Sequence, residues 1–225
     1  MKPVLSIVMP ALNEAVGIEP TLRALQPLRA HGVELLLADG GSTDSTADRA
    51  APWVDAVVAG PPGRALQMNA GAARARADVL LFLHADTRLP PLADMQVLQA
   101  VAGGARWGRF DVRIEGRPWM LRVVAALMNQ RSRLSGIATG DQGIFVTRDA
   151  FDAVGGFPLQ PLMEDIEMSR RLKRLGSPAC LRAKVCTSGR RWEQNGVWRT
   201  ILLMWRLRWR YWCGEPAARL AAKYR

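Results

Sequence analysis

The first hundred residues alternate short, continuously apolar runs with segments that have helical periodicity. Unbroken apolar runs are typical of strands buried on both faces, and strands separated by helices form mostly parallel sheets with helices on each side. We therefore predict an α/β fold. The predicted strands are Leu5–Met9, Glu34–Ala38, Ala56–Val58 and Val79–Leu83. The predicted helices are Glu19–Arg29, Ser45–Ala51, Ala65–Arg76 and Leu92–Val101.

The pattern changes after residue 103, where extended and helical segments are less regularly spaced. The segments predicted to be extended are Trp107–Glu115, Gly143–Thr147 and Cys180–Cys186, and those predicted to be helical are Trp119–Met128 and Glu164–Leu175. No stretch rich in Pro, Gly or Ser separates the two halves. We therefore expect the second half to complete the same sheet.

The composition is that of a globular protein kept in a reducing compartment. Hydrophobic residues make up 49% of the 225 residues and charged residues 23%, which is enough for a sizeable core. Cys180, Cys186 and Cys213 form no CxxC or Cys/His pattern, which argues against a disulfide framework and against structural zinc. The apolar run Val4–Met9 is too short for a signal peptide. We expect a cytoplasmic protein.

Basic charge is concentrated in the second half of the chain. Residues 1–100 carry 8 Lys and Arg against 10 Asp and Glu, whereas the rest carries 23 against 10. Such a basic half suits nucleic acid, an anionic membrane surface or phosphate-bearing substrates. Arginine outnumbers lysine 27 to 4, and its planar guanidinium binds phosphate through paired hydrogen bonds. Charge alone leaves all three partners open.

Polar residues follow three predicted strands at the points where these strands end. They are Asn13-Glu14, Asp39 and His84-Ala85-Asp86. Ligands of open parallel sheets bind at the carboxyl ends of the strands, so these residues indicate a site. A lone carboxylate such as Asp86 suits Mg²⁺ or Mn²⁺, which complete their coordination with phosphate oxygens, although it also suits a turn. For the His84 side chain a core position is favoured.

Other polar segments are ambiguous when taken singly. The loop that starts at Asp39 reads as a tight turn in which Ser42 or Thr43 caps the next helix, and it lacks the GxGxxG spacing of a dinucleotide site. Glu164 and Asp165 begin a predicted helix, where the helix dipole favours acids, yet either carboxylate there could act as a general base.

The order and spacing of these segments together resemble the family-two glycosyltransferases with a GT-A fold, most closely their small, single-domain, bacterial-type members. The resemblance runs from about residue 4 to about residue 192. Its motifs, in chain order, are PALNE, DGGSTDST, GRALQMNAGA, FLHADT, GDQGIFVTR, GGFP and MEDIEMSRRLKRLG.

The resemblance implies a function and a role for each matching residue. It implies transfer of a sugar from a nucleotide-diphosphate donor to an acceptor hydroxyl with inversion, assisted by Mg²⁺ or Mn²⁺. The residues implied to bind the donor are Pro10, Asn13, Glu14, Asp39, Arg64, Asn69 and Asp86, with Asp39 accepting from the base and Asp86 binding the metal. Asp165 would be the base, with Glu164 beside it, and Asp141 and Gln142 would face the acceptor.

Two departures from the family pattern concern the diphosphate end of the site. His84 stands where the family has the first acid of its DxD metal motif. The family's QxxRW motif is missing, and Arg190 and Arg191 within Ser188–Trp192 are its candidate substitutes for binding the diphosphate. The implied domain spans residues 1–192, with a nucleotide-binding half at 1–103 and an acceptor half at 104–192.

Residues 193–225 form a predicted helical appendage rich in Trp and Arg. In a helix over Val197–Cys213, at about 100° per residue, four tryptophans share one face and arginines flank it, while Leu203, Met204, Leu207 and Tyr211 form a second apolar stripe. Its four arginines argue against a spanning helix. Burial of both faces in the core is the commonest outcome for such a helix, and contact with the inner face of a membrane or with a second subunit is the alternative. A lipid-linked acceptor would suit such a contact.

Two other functions compete with sugar transfer. A nucleotidyltransferase of similar architecture would carry a basic, Gly-rich loop after the first strand, whereas PALNEAVG has no basic residue. A nucleic-acid-binding protein would carry basic residues interleaved with stacking aromatics, which only the Trp/Arg tail approaches. We expect no nucleic-acid partner.

Overall fold

The computed structural model describes residues 2–224, which form one eight-stranded sheet flanked by helices. The strands are β1 (Leu5–Ala11), β2 (Val33–Asp39), β3 (Ala56–Ala59), β4 (Val79–Phe82), β5 (Thr87–Arg88), β6 (Trp107–Glu115), β7 (Ile144–Thr147) and β8 (Ala179–Ser188). The helices are α1 (Ile18–Arg29), α2 (Thr46–Ala50), α3 (Arg64–Arg74), α4 (Ala93–Ala102), α5 (Met120–Ser135), α6 (Arg148–Ala153), α7 (Glu164–Leu172), α8 (Arg190–Asn195), α9 (Val197–Trp212) and α10 (Ala217–Tyr224).

The sheet is mixed rather than purely parallel, and its order is β3-β2-β1-β4-β7-β6-β8-β5. The first four strands are parallel, as the apolar runs predict. Strand β7 then pairs antiparallel with both β4 and β6, while β8 runs parallel to β6 and antiparallel to β5. The second half of the chain therefore completes the sheet, as predicted.

Alternate residues of the central strands supply the two faces of the core. Ile7 belongs to the apolar cluster that packs under α1, and its neighbour Val8 belongs to the cluster under α3. Helix α3 lies so close to β1 that a Cβ atom at Gly71 would overlap the Val8 side chain. Because every residue of β1 is buried, this strand forms a rigid support for the polar residues that follow it.

A buried polar contact fixes α5 against β6. The Asn129 side chain accepts from the Val112 N–H at 2.8 Å and donates to the Val112 carbonyl at 3.0 Å. Arg109, which is fully buried, pairs with Asp111 on the same strand. The Asn129 contact joins the second half of α5 to β6, and α5 continues to Ser135 rather than ending near Met128 as predicted.

The Trp/Arg tail forms α9 and α10, and only one side of α9 faces the protein. Leu207 packs with Leu220 of α10 and with Ile166 of α7 in a small separate core. The opposite side is open, and its four tryptophans are each 63–70% exposed. The interpretation that both faces of this helix are core is therefore wrong, because the protein covers one side of α9 and the tryptophan side stays exposed.

Within residues 2–224, no helix combines the length and the apolar character needed to cross a membrane.

Candidate active site

A polar cavity of about 690 Å³ opens at the carboxyl ends of β1 and β4. The loops after these strands form one wall, and the end of β8 with α8 forms the other. The cavity brings together residues that are far apart in sequence and that were predicted as site residues, namely Pro10, Glu14, Arg64, Asp86, Asp141, Arg190 and Arg191. Of the polar residues at strand ends, Glu14, His84 and Asp86 line this cavity.

Asp86 projects into this cavity from a loop that contacts strand β8. The next residue, Thr87, begins β5, and its Oγ1 lies 3.1 Å from Oγ1 of Thr187 on β8. The Asp86 side chain is exposed and receives only a long contact from the Thr87 hydroxyl, 3.4 Å. Its carboxylate oxygens therefore remain available to a ligand in the cavity.

The donor set at Asp86 suits a metal that is shared with a phosphate ligand. Within residues 2–224, no cluster of three or more His, Cys, Asp or Glu side chains could hold a metal on its own. Mg²⁺ and Mn²⁺ are commonly bound through one or two carboxylates plus substrate phosphates and water. The cavity offers the carboxylate of Asp86 and room for a diphosphate, so its residues fit such a metal when the phosphate ligand is present.

His84 lies where the polar cavity meets a second, apolar cavity. Its Nδ1 is 3.3 Å from Oδ1 of Asp141, and its side chain is only 16% exposed. A Cβ atom at Gly140 would overlap the imidazole, so a larger residue there would displace the His84 ring. The interpretation of His84 as a core residue is wrong because β4 ends at Phe82, and His84 lies beyond the strand in the cavity walls.

The second cavity, of about 470 Å³, is lined mainly by apolar side chains. They come from α5, from α9 and from the loop before α7, and include Val124, Leu127, Met128, Leu162, Ile201, Met204 and Trp205. Its polar and charged lining residues include Arg64, His84, Arg131, Thr139, Asp141, Glu164, Asp165 and Arg208. Because Arg64, His84 and Asp141 line both cavities, the polar and the apolar cavity adjoin.

Asp165 lies in the apolar cavity at the start of α7, held by two backbone donors. The Gly140 N–H donates to its Oδ2 at 2.9 Å, and the Ile166 N–H donates to its Oδ1 at 2.7 Å. Glu164 is almost fully buried beside it, and its Oε1 is 3.9 Å from Nη1 of Arg64. Two adjacent acids are thus held in a poorly solvated site.

This environment raises the pKa of both acids above their ordinary values. For Asp165 the main cause is burial, with Asp141 adding to it and the backbone donors and Arg64 opposing it. For Glu164 the main cause is again burial, followed by the charge of Asp165. A carboxyl with a raised pKa in a cleft is suited to taking up a proton.

Asp141 and Glu14 differ in their electrostatic setting. Burial would raise the pKa of Asp141, but the hydrogen bond with His84 and the guanidinium of Arg64 bring it below the ordinary value. Burial raises the pKa of Glu14, although Oε2 of this residue lies 3.7 Å from Nη2 of Arg190. The Glu14–Arg190 pair spans the polar cavity from the β1 loop to α8.

Arg191 and the last helix cover the other end of the polar cavity. The Arg191 guanidinium lies over the Tyr224 ring, 3.7 Å from its centroid, and Nη2 donates to the Tyr224 carbonyl at 2.9 Å. Tyr224 lines both cavities. The end of α10 therefore folds back over the site.

Two predicted donor-binding residues serve to join the loops after β1 and β2. Asn13, with φ of 56°, accepts from the Thr43 N–H at 2.9 Å. Asp39 accepts from the backbone N–H groups of Gly41 and Ser42, both at 3.0 Å, and from the Ser42 hydroxyl. Because Ser42 is engaged by Asp39 and α2 begins at Thr46, neither Ser42 nor Thr43 caps that helix, and the expectation that they do is wrong. Neither Asn13 nor Asp39 lines the two cavities.

Two further predicted site residues are also occupied by backbone contacts. The Asn69 amide donates to the Phe157 carbonyl at 2.8 Å and accepts from the Phe157 N–H at 2.9 Å. Gln142 is fully buried, and its Oε1 accepts from the Thr139 N–H at 3.1 Å. The structure thus leaves Asn69 and Gln142 outside both cavities, and of the predicted acceptor pair only Asp141 lines them.

Arg131 is a residue of the apolar cavity that the sequence analysis missed. Its Nε and Nη2 atoms are buried and have no hydrogen-bond partner among residues 2–224. It is close enough to Asp165 for their charges to interact. A guanidinium with free buried donors next to a carboxylate is a candidate to bind a polar group of a ligand. The sequence gives little indication of this role, because Arg131 lies beyond Met128, where the predicted helix ends.

The sequence matches one protein-family model. The sequence model of glycosyl transferase family 2 matches residues 6–154. No curated protein sequence matches the chain.

Solved structures of glycosyltransferases share the fold. Glucosyl-3-phosphoglycerate synthase from Mycobacterium tuberculosis, solved with Mn²⁺, UDP and glucosyl-3-phosphoglycerate, is 22% identical, with a TM-score of 0.61 over 82% of this chain and 71% of that chain. The mannosyltransferase PcManGT from Pyrobaculum calidifontis, solved with GDP-Man and Mn²⁺, is 19% identical, with a TM-score of 0.60 over 83% and 57%. S. aureus TarS is 14% identical, with a TM-score of 0.64 over 83% and 60%. These structural similarities show that the chain has the GT-A fold.

Proposed function

The chain belongs to glycosyl transferase family 2, and we propose that it transfers a sugar from a nucleotide-diphosphate sugar to an acceptor hydroxyl, with inversion at the anomeric carbon. One observation carries the proposal: a polar, arginine-lined cavity and an apolar cavity containing Asp165 meet at Arg64, His84 and Asp141. A charged donor and a less polar acceptor thus have adjoining sites.

The polar cavity is the proposed donor site. Arg64, Arg190 and Arg191 supply positive charge for the diphosphate, since guanidinium groups bind phosphate oxygens in pairs. Asp86 would hold Mg²⁺ or Mn²⁺, and the bound metal would supply positive charge to the departing diphosphate. Solved relatives contain UDP or GDP-Man together with Mn²⁺, which supports this assignment without fixing the base or sugar for this chain.

Asp165 is the proposed general base. Its carboxylate takes the proton of the acceptor hydroxyl while the acceptor oxygen bonds to the anomeric carbon. The bond between that carbon and the diphosphate breaks on the opposite side, so the configuration inverts and the diphosphate leaves with the bonding electrons. The Gly140 N–H holds the Asp165 carboxylate in place for this step.

The apolar cavity is the proposed acceptor site. Its aliphatic and tryptophan lining favours an acceptor with an apolar body and a single polar end that carries the hydroxyl. Arg131 would bind a second polar group at that end through its free Nε and Nη2 donors.

A ligand-binding experiment followed by an activity measurement tests the proposal. Melting temperatures are measured with UDP, GDP, ADP, CDP and dTDP, each with and without Mn²⁺, because a ligand that binds only the folded state raises the melting temperature. Sugar conjugates of the stabilising nucleotide are then assayed for transfer to hydroxyl acceptors. A melting curve unmoved by every nucleotide, together with full transfer activity in Asp165→Asn, would contradict the proposal.

A further inference from the structure

Helix α9 presents an apolar stripe that no other described residue covers. At about 100° per residue, Trp198, Leu202, Trp205, Trp209 and Trp212 fall within one narrow face of the helix. Each of these side chains is 63–70% exposed. Large aromatic side chains are seldom left in water as a continuous row, so such a stripe marks an interaction surface.

Helix α5 carries a second exposed stripe that meets the first. Trp119, just before the helix, is 71% exposed, and Val123 and Leu127 follow at intervals of four residues with 39% and 61% exposure. Leu127 and Trp205 both line the apolar cavity. The two stripes therefore border the cavity that holds Asp165, and together they form what is here named the tryptophan face.

The charged residues that α5 and α9 contribute to the tryptophan face are all basic. Helices α5 and α9 contain no Asp or Glu, whereas α9 alone contains four arginines. Arg199 and Arg206 are exposed and flank one edge of the tryptophan stripe. Glu215, which follows α9, pairs with Arg210 and Lys223. A partner for this face should therefore be apolar and carry negative charge.

We propose that the tryptophan face docks on an anionic lipid bilayer. Tryptophan rings favour the interface between headgroups and acyl chains, and arginines beside them reach anionic headgroups. A second copy of the chain would bring two uniformly basic faces together, which charge repulsion opposes. The docked face places the mouth of the Asp165 cavity against the bilayer, so an acceptor with an apolar body could enter from the lipid phase.

Vesicle sedimentation tests the docking directly, with the full chain and without any sugar donor. The chain should cosediment with vesicles that contain phosphatidylglycerol and far less with pure phosphatidylcholine vesicles. Trp205→Ser with Trp209→Ser should lose binding. Arg199→Gln with Arg206→Gln should weaken binding to the anionic vesicles about 30-fold, since each basic residue near an anionic surface contributes about 1 kcal/mol.

A matched control distinguishes docking through this face from nonspecific hydrophobic adsorption to vesicles. Val16→Ser with Met95→Ser removes exposed apolar side chains elsewhere and should leave binding unchanged. Circular dichroism and melting temperature verify that each variant folds. Because sedimentation does not report catalysis, Asp165→Asn should bind vesicles as the parent chain does, so failure of the proposed function is distinguishable from failure of docking.

Three results would overturn the proposal. The first is absence of binding to anionic vesicles, and the second is equal binding by the tryptophan double variant. The third is a concentration-dependent dimer, measured by light scattering, that the tryptophan double variant abolishes, because the face would then belong to a second copy.

Discussion

The backbone N–H of Gly140 donates to Oδ2 of Asp165 at 2.9 Å, which joins the loop before β7 to the start of α7. The same loop brings Asp141 within 3.3 Å of His84. One short segment therefore contacts both Asp165, the proposed base, and His84, which lies at the boundary between the two cavities.

Asp165→Asn should reduce kcat by about 10²–10⁴-fold, because an amide cannot take the acceptor's proton. The nucleotide should still raise the melting temperature, since Asp165 lies in the apolar cavity. The measurement is steady-state transfer at saturating donor and acceptor. Asp149→Asn is the control, because Asp149 is an exposed acid in the first turn of α6 and should not affect kcat.

The pH dependence of kcat should reveal the raised pKa of Asp165. The base must be ionised, so kcat should fall as the pH drops through this pKa, at a higher pH than for an ordinary aspartate. Arg64 opposes the rise, and Arg64→Gln should therefore shift the acidic limb to still higher pH. Arg74→Gln, an exposed change at the end of α3, should leave the limb in place. A limb that moves to lower pH in Arg64→Gln would contradict the assignment.

Glu164→Gln should stabilise the fold at neutral pH. Burial raises the pKa of Glu164, so the folded state prefers the protonated form and loses stability as the pH rises through the folded pKa. Glutamine mimics the protonated form, and the variant's melting temperature should exceed that of the parent at pH 7.5 by more than at pH 4. Glu167→Gln, which gives up pairs with Arg170 and Arg171, should show no such gain.

Asp86→Asn should raise the Mn²⁺ concentration needed for half-maximal activity by about tenfold or more. Even mutations of residues that only hold a metal ligand in place lower metal affinity by that much. The measurement is a metal titration at saturating nucleotide, read by activity and by melting temperature. Asp48→Asn, an exposed change on α2, is the control. An unchanged titration in Asp86→Asn would mean that Asp86 does not hold the metal.

Arg131→Gln should raise the KM for the acceptor roughly tenfold or more, as expected when a hydrogen bond to a charged group is lost, and should leave the donor KM unchanged. Arg122→Gln is a matched control, since Arg122 is an exposed arginine of the same helix. Equal acceptor KM values in the two variants would show that Arg131 does not bind the acceptor.

The sequence predicts the helices and strands that show a clear hydrophobic pattern. It does not predict those that depend on contacts with residues distant in the chain. The four parallel strands were found because unbroken apolar runs report burial on both faces. Strand β5 is too short to show periodicity, and α8 and α10 owe their positions to contacts with distant residues such as Arg191 with Tyr224. Local composition does not encode such contacts.

The same distinction applies to the site. Asp86 and Glu14 were predicted from their positions at strand ends, and the structure brings both to the polar cavity. Arg131 could not be predicted, because its donors, unpaired within the described residues, become a candidate ligand-binding group only in the buried environment that α9 and Asp165 create. Asn69 and Gln142 match family motifs, yet their amides bind backbone groups, which side-chain chemistry alone does not reveal.

The Thr87–Thr187 contact joins hydroxyl groups that are 100 residues apart, and it closes the loop that carries Asp86. During synthesis the amino-terminal strands leave the ribosome first, but the wall formed by Thr187, Arg190 and Arg191 follows much later. Contacts so distant in sequence are slow to form. A nascent chain can therefore assemble its first strands early while the polar cavity stays open on one side, so the proposed donor should bind only after residues 187–191 have been made and have folded.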